Sequence, residues 1–414
     1  MKSFRLQSAS GVHRHGTGLR VGLFGLLGQG NIGNDASLEA VLRYLRRSHP
    51  EAALDAMATG PARLKARYDL DSNPLYWHSE REARSRGPVA VALKFLGKVV
   101  DTWRIARWTA RHDVVIVPGM GVLEATVPIR PWETPYTLFV LCVTARIART
   151  RVAFVDVGAS LVKARATRWL LDTAARLAFY RSYRDGASRE FMRSRGLAAS
   201  GDHVFPDLVF ALPNPVLHPV DPTLVGVGLM GYHGTNDDDR RHADQIHATY
   251  VAKMKQFVRW LLDNDRRVRL LVGDNNDRDV VQEILADARS ARPDREGWIV
   301  AKDVTSFCEL TEAIGPVHSV VATRFHNVLC ALKLGKPTVS IGYAPKNAAI
   351  MADAGLGEYC QWASSLDLRR LIEQFTDLEE RSGELTPAIV ERSAANARML
   401  DAQFAELSSV VLTA

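Results

Sequence analysis

Short apolar runs of β type, each followed by a turn and a segment of helical period, recur along almost the whole chain. In the first half these runs are residues 20–27, 113–117, 152–157 and 178–183, with helical segments at 35–47, 132–149, 163–177 and 187–195. In the second half they are 224–230, 268–272, 298–300, 317–322 and 338–342. Strands that alternate with helices argue for parallel sheets, because a parallel pair needs a crossover long enough to hold a helix. At 414 residues the chain is longer than a single core usually serves, ~250–300 residues. Prolines at 206, 213, 215, 219 and 222 interrupt the pattern, so two α/β domains joined there are expected.

The expected organisation is a flexible N-terminus over 1–18, a Rossmann-like domain over 19–210, a proline-rich linker at 211–223, a second Rossmann-like domain over 224–386 and a C-terminal helical tail over 387–414. The two domains should face one cleft. Ser306 with Glu309 has capping-box spacing, and Gly315 followed by Pro316 stops the helix between them. Cys142, Cys308, Cys330 and Cys360 form no C-x-x-C pair and are expected to be small buried hydrophobes.

No run reaches the ~18–20 apolar residues of a bilayer-spanning helix, and the basic start of the chain lacks the apolar stretch of a secretory signal. The expectation is a cytoplasmic protein. Charge is uneven: residues 1–210 carry 31 Lys and Arg against 18 Asp and Glu, and residues 211–414 carry 22 against 28. A basic half raises nucleic acid as a partner, but no RNA-binding signature, zinc-finger spacing or basic stripe with stacking aromatics is present. A small anion or an anionic membrane surface accounts for the asymmetry as well. Residues 88–112 set Leu96, Val99 and Trp103 among Lys94, Lys98, Arg104, Arg107 and Arg111. This pattern suits peripheral contact with the inner membrane face, or else a helix packed on the core with a solvated basic side.

Two regions carry candidate chemistry. Gly28-Gln29-Gly30-Asn31-Ile32-Gly33 lies between a strand and a helix, and Asp55 follows at the distance of a ribose-binding acid, which together spell an NAD site. More generally, the glycines let backbone N–H groups approach an anion at a helix N-terminus. The alternative is that they serve only close strand–helix packing, with Asn34 or Asp35 capping the helix. Farther on, the run at 317–322 ends in Thr323-Arg324-Phe325-His326, and the run at 338–342 ends in Tyr343-Ala344-Pro345-Lys346. Arg324, His326 and Lys346 then share the rim where open α/β sheets bind ligands. They offer an anion fork, a proton and a point charge. No H-E-x-x-H or other metal-ligand cluster occurs, and Asp237-Asp238-Asp239 is expected to be a solvated loop.

The R-x-H strand end, ALKLGKPTVSIGYAPK, the N-terminal G-x-x-G-x-G-N-x-G-N-D-A, AFVDVGASL, SYRDGASREFMRSRG, the aspartate of VFPDLVF and DVTSFCELTEAI together resemble the polysaccharide pyruvyl transferase family, over residues 20 to about 357. The resemblance implies a GT-B-like fold and transfer of a pyruvyl group from phosphoenolpyruvate to a sugar, as a ketal, with no cofactor. It places Arg324, His326 and Lys346 in catalysis, and Arg324, Arg184 and Lys346 on the donor. The acceptor, a glycan or a lipid-linked sugar, is expected beside Gly28, Gly30, Asn31, Gly33, Asn34, Asp35, Gly119, Gly121 and Glu124. This chain has Gly33-Asn34-Asp35-Ala36 where the family commonly has G-D-E-A, and Pro118-Gly119-Met120-Gly121 where P-G-G-G is usual. A nucleotide-sugar glycosyltransferase and an NAD-dependent oxidoreductase are the alternatives.

Overall fold

The computed structural model describes residues 18–77, 88–124, 130–197, 199, 201–215, 219–234, 242–274 and 277–413, and the side chains of 88–95 are not among the described ones. The expected flexible N-terminus, apart from Gly18, and the acidic run at 237–239 lie outside the described residues.

Two all-parallel sheets form the frame. The first takes β1 (Arg20–Gly25), β2 (Ala53–Ala58), β3 (Ser72–Pro74), β4 (Val114–Pro118), β5 (Arg151–Val157), β6 (Tyr180–Tyr183) and β7 (His203–Val204), in the order β3-β2-β1-β4-β5-β6-β7. The second takes β8 (Asp221–Gly228), β9 (Arg267–Leu271), β10 (Ile299–Lys302), β11 (Val317–Ala322), β12 (Thr338–Gly342) and β13 (Cys360–Trp362), in the order β10-β9-β8-β11-β12-β13. The middle strands are apolar on both faces because helices cover both: every residue of β4 and of β12 is buried. Each order reverses direction once, between β1 and β4 and between β8 and β11, and the crevice at such a reversal opens at the carboxyl ends of the strands.

In the first domain α1 (Ile32–Ser48) and α2 (Pro61–Tyr68) connect β1, β2 and β3. The connections after β3 run in the opposite direction across the sheet, so right-handed crossover puts α3 (Pro88–Thr109), α4 (Thr134–Ala148), α5 (Arg165–Leu177) and α6 (Gly186–Ser194) on the other face. Helix α5 shows how such a helix is held: Thr167, Leu171, Ala174 and Ala175 face the domain interior at helical spacing, and burying Leu171 alone contributes about 1.5–3 kcal/mol. The second domain adds α7 (Ala243–Asp263), α8 (Arg278–Ala291), α9 (Phe307–Ile314), α10 (Phe325–Lys333), α11 (Pro345–Asp353) and α12 (Leu368–Glu380). Ser306 caps α9 by accepting from the Glu309 N–H at 3.0 Å, while the Glu309 carboxylate reaches back to the Thr305 N–H at 2.7 Å.

The proline-rich segment is docked rather than free. Asp207 starts a tight turn over Leu208–Ala211, Leu208, Val209 and Phe210 are buried, and the Lys333 ammonium donates to the carbonyls of Phe210 and Leu212 at 3.2 and 2.6 Å. The C-terminal tail is one long helix, α13 (Ser382–Val410), that begins in the second domain and ends on the first. There Tyr44 stacks on Phe404 at 4.4 Å, and the Gln403 amide donates to Asp156 and Ser182 at 2.6 and 2.8 Å. Cys142 and Cys330 are buried as expected, but Cys308 is exposed on the first turn of α9, which corrects the reading of all four as buried.

Candidate active site

The site forms where the carboxyl ends of both sheets meet. On the second domain, β11 is followed by Thr323, whose hydroxyl is held by Tyr250 at 2.7 Å, and the chain turns through Arg324 into α10. Arg324 forms a two-pronged pair with Asp277, Nε to Oδ2 at 2.7 Å and Nη2 to Oδ1 at 2.6 Å. Asp277 is wholly buried and also accepts the Gly231 N–H at 2.9 Å. Asp277 thus occupies two of the five N–H groups of Arg324, which fixes the guanidinium while the side chain keeps some exposure. A side chain at Gly273 would collide with Arg324, so that glycine leaves the room the pair needs.

His326 lies in the first turn of α10, and its half-buried ring rests directly against Gly33 of the first domain. Burial, then the nearby charges of Lys346, Arg184 and Arg324, push the imidazole down to about 3, so it is neutral at pH 7. The positive ends of α1 and α10 both face it and act in the same sense.

Around His326 the charged groups interlock across the cleft. Glu124, after β4, pairs with Arg184, after β6, and lies 3.9 Å from Lys346 Nζ in the first turn of α11. Burial raises the Glu124 carboxyl, but Arg184 and Lys346 outweigh it and hold the group below the usual carboxylate range. Gly121 and Gly158 make the floor beneath Glu124, since a side chain at either would strike its carboxylate. The ring of Phe325 takes both cations on its π system, with Arg184 at 5.6 Å and Lys346 at 4.9 Å from its centroid. Asp207 is buried nearby, its carboxyl raised by burial against the opposing pull of Arg184 and Lys346.

The glycine loop does different work from an open anion cradle. Gly28 and Gly30 have φ of +77° and +89°, which favours glycine, and Gly28 packs against the backbone of Gly60. The Gly28 N–H is already taken by Asp35 Oδ1 at 2.7 Å, and the N–H groups of Gly33 and Asn34 by Asn31 Oδ1 at 3.2 and 3.1 Å. Asn31 is therefore the cap of α1, correcting the expectation that Asn34 or Asp35 plays that part; Asn34 instead donates to the Leu26 carbonyl at 3.1 Å. Asp35 is buried, which raises its carboxyl, and it points into the loop. Gly119 has φ of +44° with its carbonyl accepting from Ser37 at 3.3 Å.

The NAD reading loses its second support. Asp55 lies inside β2, not at its carboxyl end, and accepts from Trp108 Nε1 and His112 Nε2, each at 2.9 Å. Among the described residues no group of three or more His, Cys, Asp or Glu is placed to hold a metal ion.

His326, Lys346, Arg184, Glu124 and Gly33 thus come together, whereas Arg324 contributes from behind its pair with Asp277. Phe325, Gly158 and Asp277 escaped the sequence reading. Gly158 lies within AFVDVGASL and Phe325 between Arg324 and His326, but no pattern assigned either a role, and Asp277 left no signal. Two more polar groups sit behind the site: the side-chain amides of Asn327 and Asn347 are fully buried and find no hydrogen-bond partner among the described residues.

The sequence model described as polysaccharide pyruvyl transferase matches residues 31–345. The chain belongs to the polysaccharide pyruvyl transferase family. The match contains Gly33, Glu124, Arg184, Arg324 and His326 and stops one residue before Lys346. No curated protein sequence matches the chain. Among solved structures, the UDP-GlcNAc 2-epimerase of Neisseria meningitidis bound to UDP-GlcNAc is similar with 12% identity and a TM-score of 0.55, over 93% of this chain and 98% of that one. The UDP-GlcNAc 2-epimerase of Methanocaldococcus jannaschii matches with 9% identity and a TM-score of 0.56, over 86% and 92%. The N-terminal domain of Candida albicans trehalose-6-phosphate phosphatase matches with 10% identity and a TM-score of 0.56, over 97% and 99%. At these identities the likeness shows the fold, which is GT-B-like; the transferase class comes from the family.

In this member of the family Gly33 has a sharp steric test. Alanine there is helix-favouring by about 1 kcal/mol over glycine, yet its methyl group would meet the His326 ring across the cleft. Gly33→Ala is expected to leave the unfolding temperature nearly unchanged and to lower kcat/KM by ~10–100-fold, because an ångström of misplacement is costly in catalysis. Steady-state kinetics beside a thermal melt check it, and full activity would show that the two domains do not close on this contact.

Proposed function

We propose that this pyruvyl transferase moves the pyruvyl group of phosphoenolpyruvate to two hydroxyls of a glycan or lipid-linked sugar and leaves it there as a ketal. The observation that carries this reading is the set of Arg184, Lys346 and Arg324 around a neutral His326 in the cleft. Phosphoenolpyruvate carries a carboxylate and a phosphate on a three-carbon frame, so it needs cations at short, fixed separations. In this structure Glu124 pairs with Arg184 and lies 3.9 Å from Lys346, offsetting one of their two charges. The donor's anions would compete for those two cations and release Glu124 towards the acceptor.

The chemistry follows from the charges. Donor anions beside His326 would offset its three neighbouring cations and favour the imidazolium against the burial that chiefly depresses it, so in this reading the imidazole gains a proton in the donor complex. That proton passes to the terminal enol carbon, which becomes the methyl group, and the adjacent carbon becomes cationic. One sugar hydroxyl attacks that carbon, the carbon–oxygen bond to phosphate breaks with its electron pair on phosphate, and a second hydroxyl closes the ketal. Of the two hydroxyl protons, one replaces the proton given to carbon and the other leaves on hydrogen phosphate.

Thermal stabilisation tests the donor assignment directly. A ligand at a hundredfold excess over its Kd stabilises the native state by about 2.7 kcal/mol. Phosphoenolpyruvate should raise the unfolding temperature of the wild type, and Lys346→Ala should lose most of that rise. Stabilisation by UDP-GlcNAc or NAD without any response to phosphoenolpyruvate would overturn the reading.

A further inference from the structure

Helices α3, α4 and α5 share one face of the first sheet, with α4 packed between the other two. The solvent side of α3 is apolar where a free helix would be polar: Leu96, Val99 and Trp103 recur at one-turn spacing and are all exposed, Trp103 by 60%. Neighbouring elements extend the same character, with Ile147 at the end of α4 exposed by 79%, Trp169 on α5 by 60% and Trp132 just before α4 by 56%. Scattered exposed apolar residues are ordinary, but one face repeating them on three adjacent helices is an interaction surface.

Charge decides the partner. Over 96–112, 130–149 and 161–177 there are eleven Lys and Arg against three acids. Two of those acids, Asp101 and Asp172, are engaged by arginines within the fold. Arg107, Arg111, Arg146 and Arg149 are exposed around the apolar residues, and Arg107 lies over the Trp103 ring at 5.4 Å. An isologous pair of chains would press this basic face against itself. Tryptophan and aliphatic side chains ringed by arginine match an anionic bilayer, where apolar groups enter the headgroup boundary and the guanidinium groups meet phosphate. Among the described residues no helix is long and apolar enough to cross a membrane, so the contact would lie along the surface. The face is joined to the site along the chain: exposed Leu161 follows Gly158 of the site floor by three residues and precedes α5 by four.

We propose that the α3–α4–α5 face docks on an anionic lipid bilayer and that the sugar acceptor is presented to the cleft from that bilayer. The acceptor half of this statement rests on the pyruvyl transfer reading, and the docking half does not.

Co-sedimentation of the full chain with phosphatidylcholine vesicles, and with vesicles of phosphatidylcholine and phosphatidylglycerol in equal parts, tests it. The wild type should bind only the mixed vesicles, and binding should fall with added salt. Trp103→Ser combined with Ile147→Ser should lower the partition coefficient ~10-fold or more, as should Arg107→Glu combined with Arg146→Glu. Both pairs alter exposed side chains, so unfolding temperature and stabilisation by phosphoenolpyruvate should stay at wild-type values. Absence of binding to mixed vesicles would overturn the proposal, as would binding unaffected by either pair. So would light scattering that shows a wild-type dimer split by Trp103→Ser with Ile147→Ser. Vesicle binding without any response to phosphoenolpyruvate would instead retire the pyruvyl reading and leave the docking face standing.

Discussion

Replacing His326 by glutamine is expected to slow turnover by about a thousandfold while changing donor affinity only a few-fold, since a positioned acid–base group contributes ~10²–10⁴. Glutamine keeps a polar group of similar reach against Gly33 but cannot deliver a proton to carbon. The comparison with donor binding separates chemistry from recognition, because Arg184 and Lys346 remain in place. Turnover within tenfold of wild type would remove His326 from the proton path.

The same residue makes a second measurable difference. Its folded-state value of about 3 lies below the ordinary histidine value of 6.5. The unfolded chain therefore takes up a proton below pH 6.5 that the native site refuses. The stability that His326 contributes is fully present above that pH and is lost as pH falls from there towards 3. Each pH unit within the window is worth at most ~1.4 kcal/mol, so between pH 6.5 and 4.5 the wild type should lose roughly 2 kcal/mol more than His326→Gln. Urea unfolding of both proteins at the two pH values reads the difference. Equal losses would mean that the imidazole titrates normally in the native cleft.

How far the sequence carries depends on what each feature needs. Strands β11 and β12 are legible to the residue, because runs rich in valine and isoleucine end abruptly in Thr323-Arg324 and Tyr343. Strand β2 is not, since Ala53–Ala58 is half alanine and carries Asp55 in its middle; β3, β7 and β13 have three residues or fewer. Such edge strands exist because the sheet offers them a partner, a nonlocal cause that no window of sequence contains. The same distinction governs the site. Residue types at strand ends pointed to Arg324, His326 and Lys346, and topology alone then puts them on one rim. Glycine spacing foretold a loop between strand and helix whose N–H groups could approach an anion, but not that Asn31 and Asp35 would take up those N–H groups. The distance from the glycines to Asp55 matched a ribose acid by count only, because register sets that carboxylate against Trp108 and His112. Phe325 looked like a spacer between two functional residues, yet its ring carries two cations drawn from different domains.

The strongest dependence hidden from the sequence is that of Arg324 on Asp277, and it yields the largest expected stability change. Asp277→Ala would leave a largely buried guanidinium without its carboxylate and the Gly231 N–H without an acceptor. Breaking a buried pair from one side costs about 3–5 kcal/mol, because the remaining charge keeps its desolvation penalty and loses its compensation. Urea unfolding should show a loss of that size, and donor stabilisation should fall as well, since Arg324 would no longer be held at the rim. Removing both partners is different in kind: Asp277→Ala combined with Arg324→Met takes away the charges together and should regain much of the lost stability without restoring activity. A single variant within ~1 kcal/mol of wild type would show that the pair is not a buried one in solution. A double variant that recovers turnover along with stability would show that Arg324 serves the fold and not the donor.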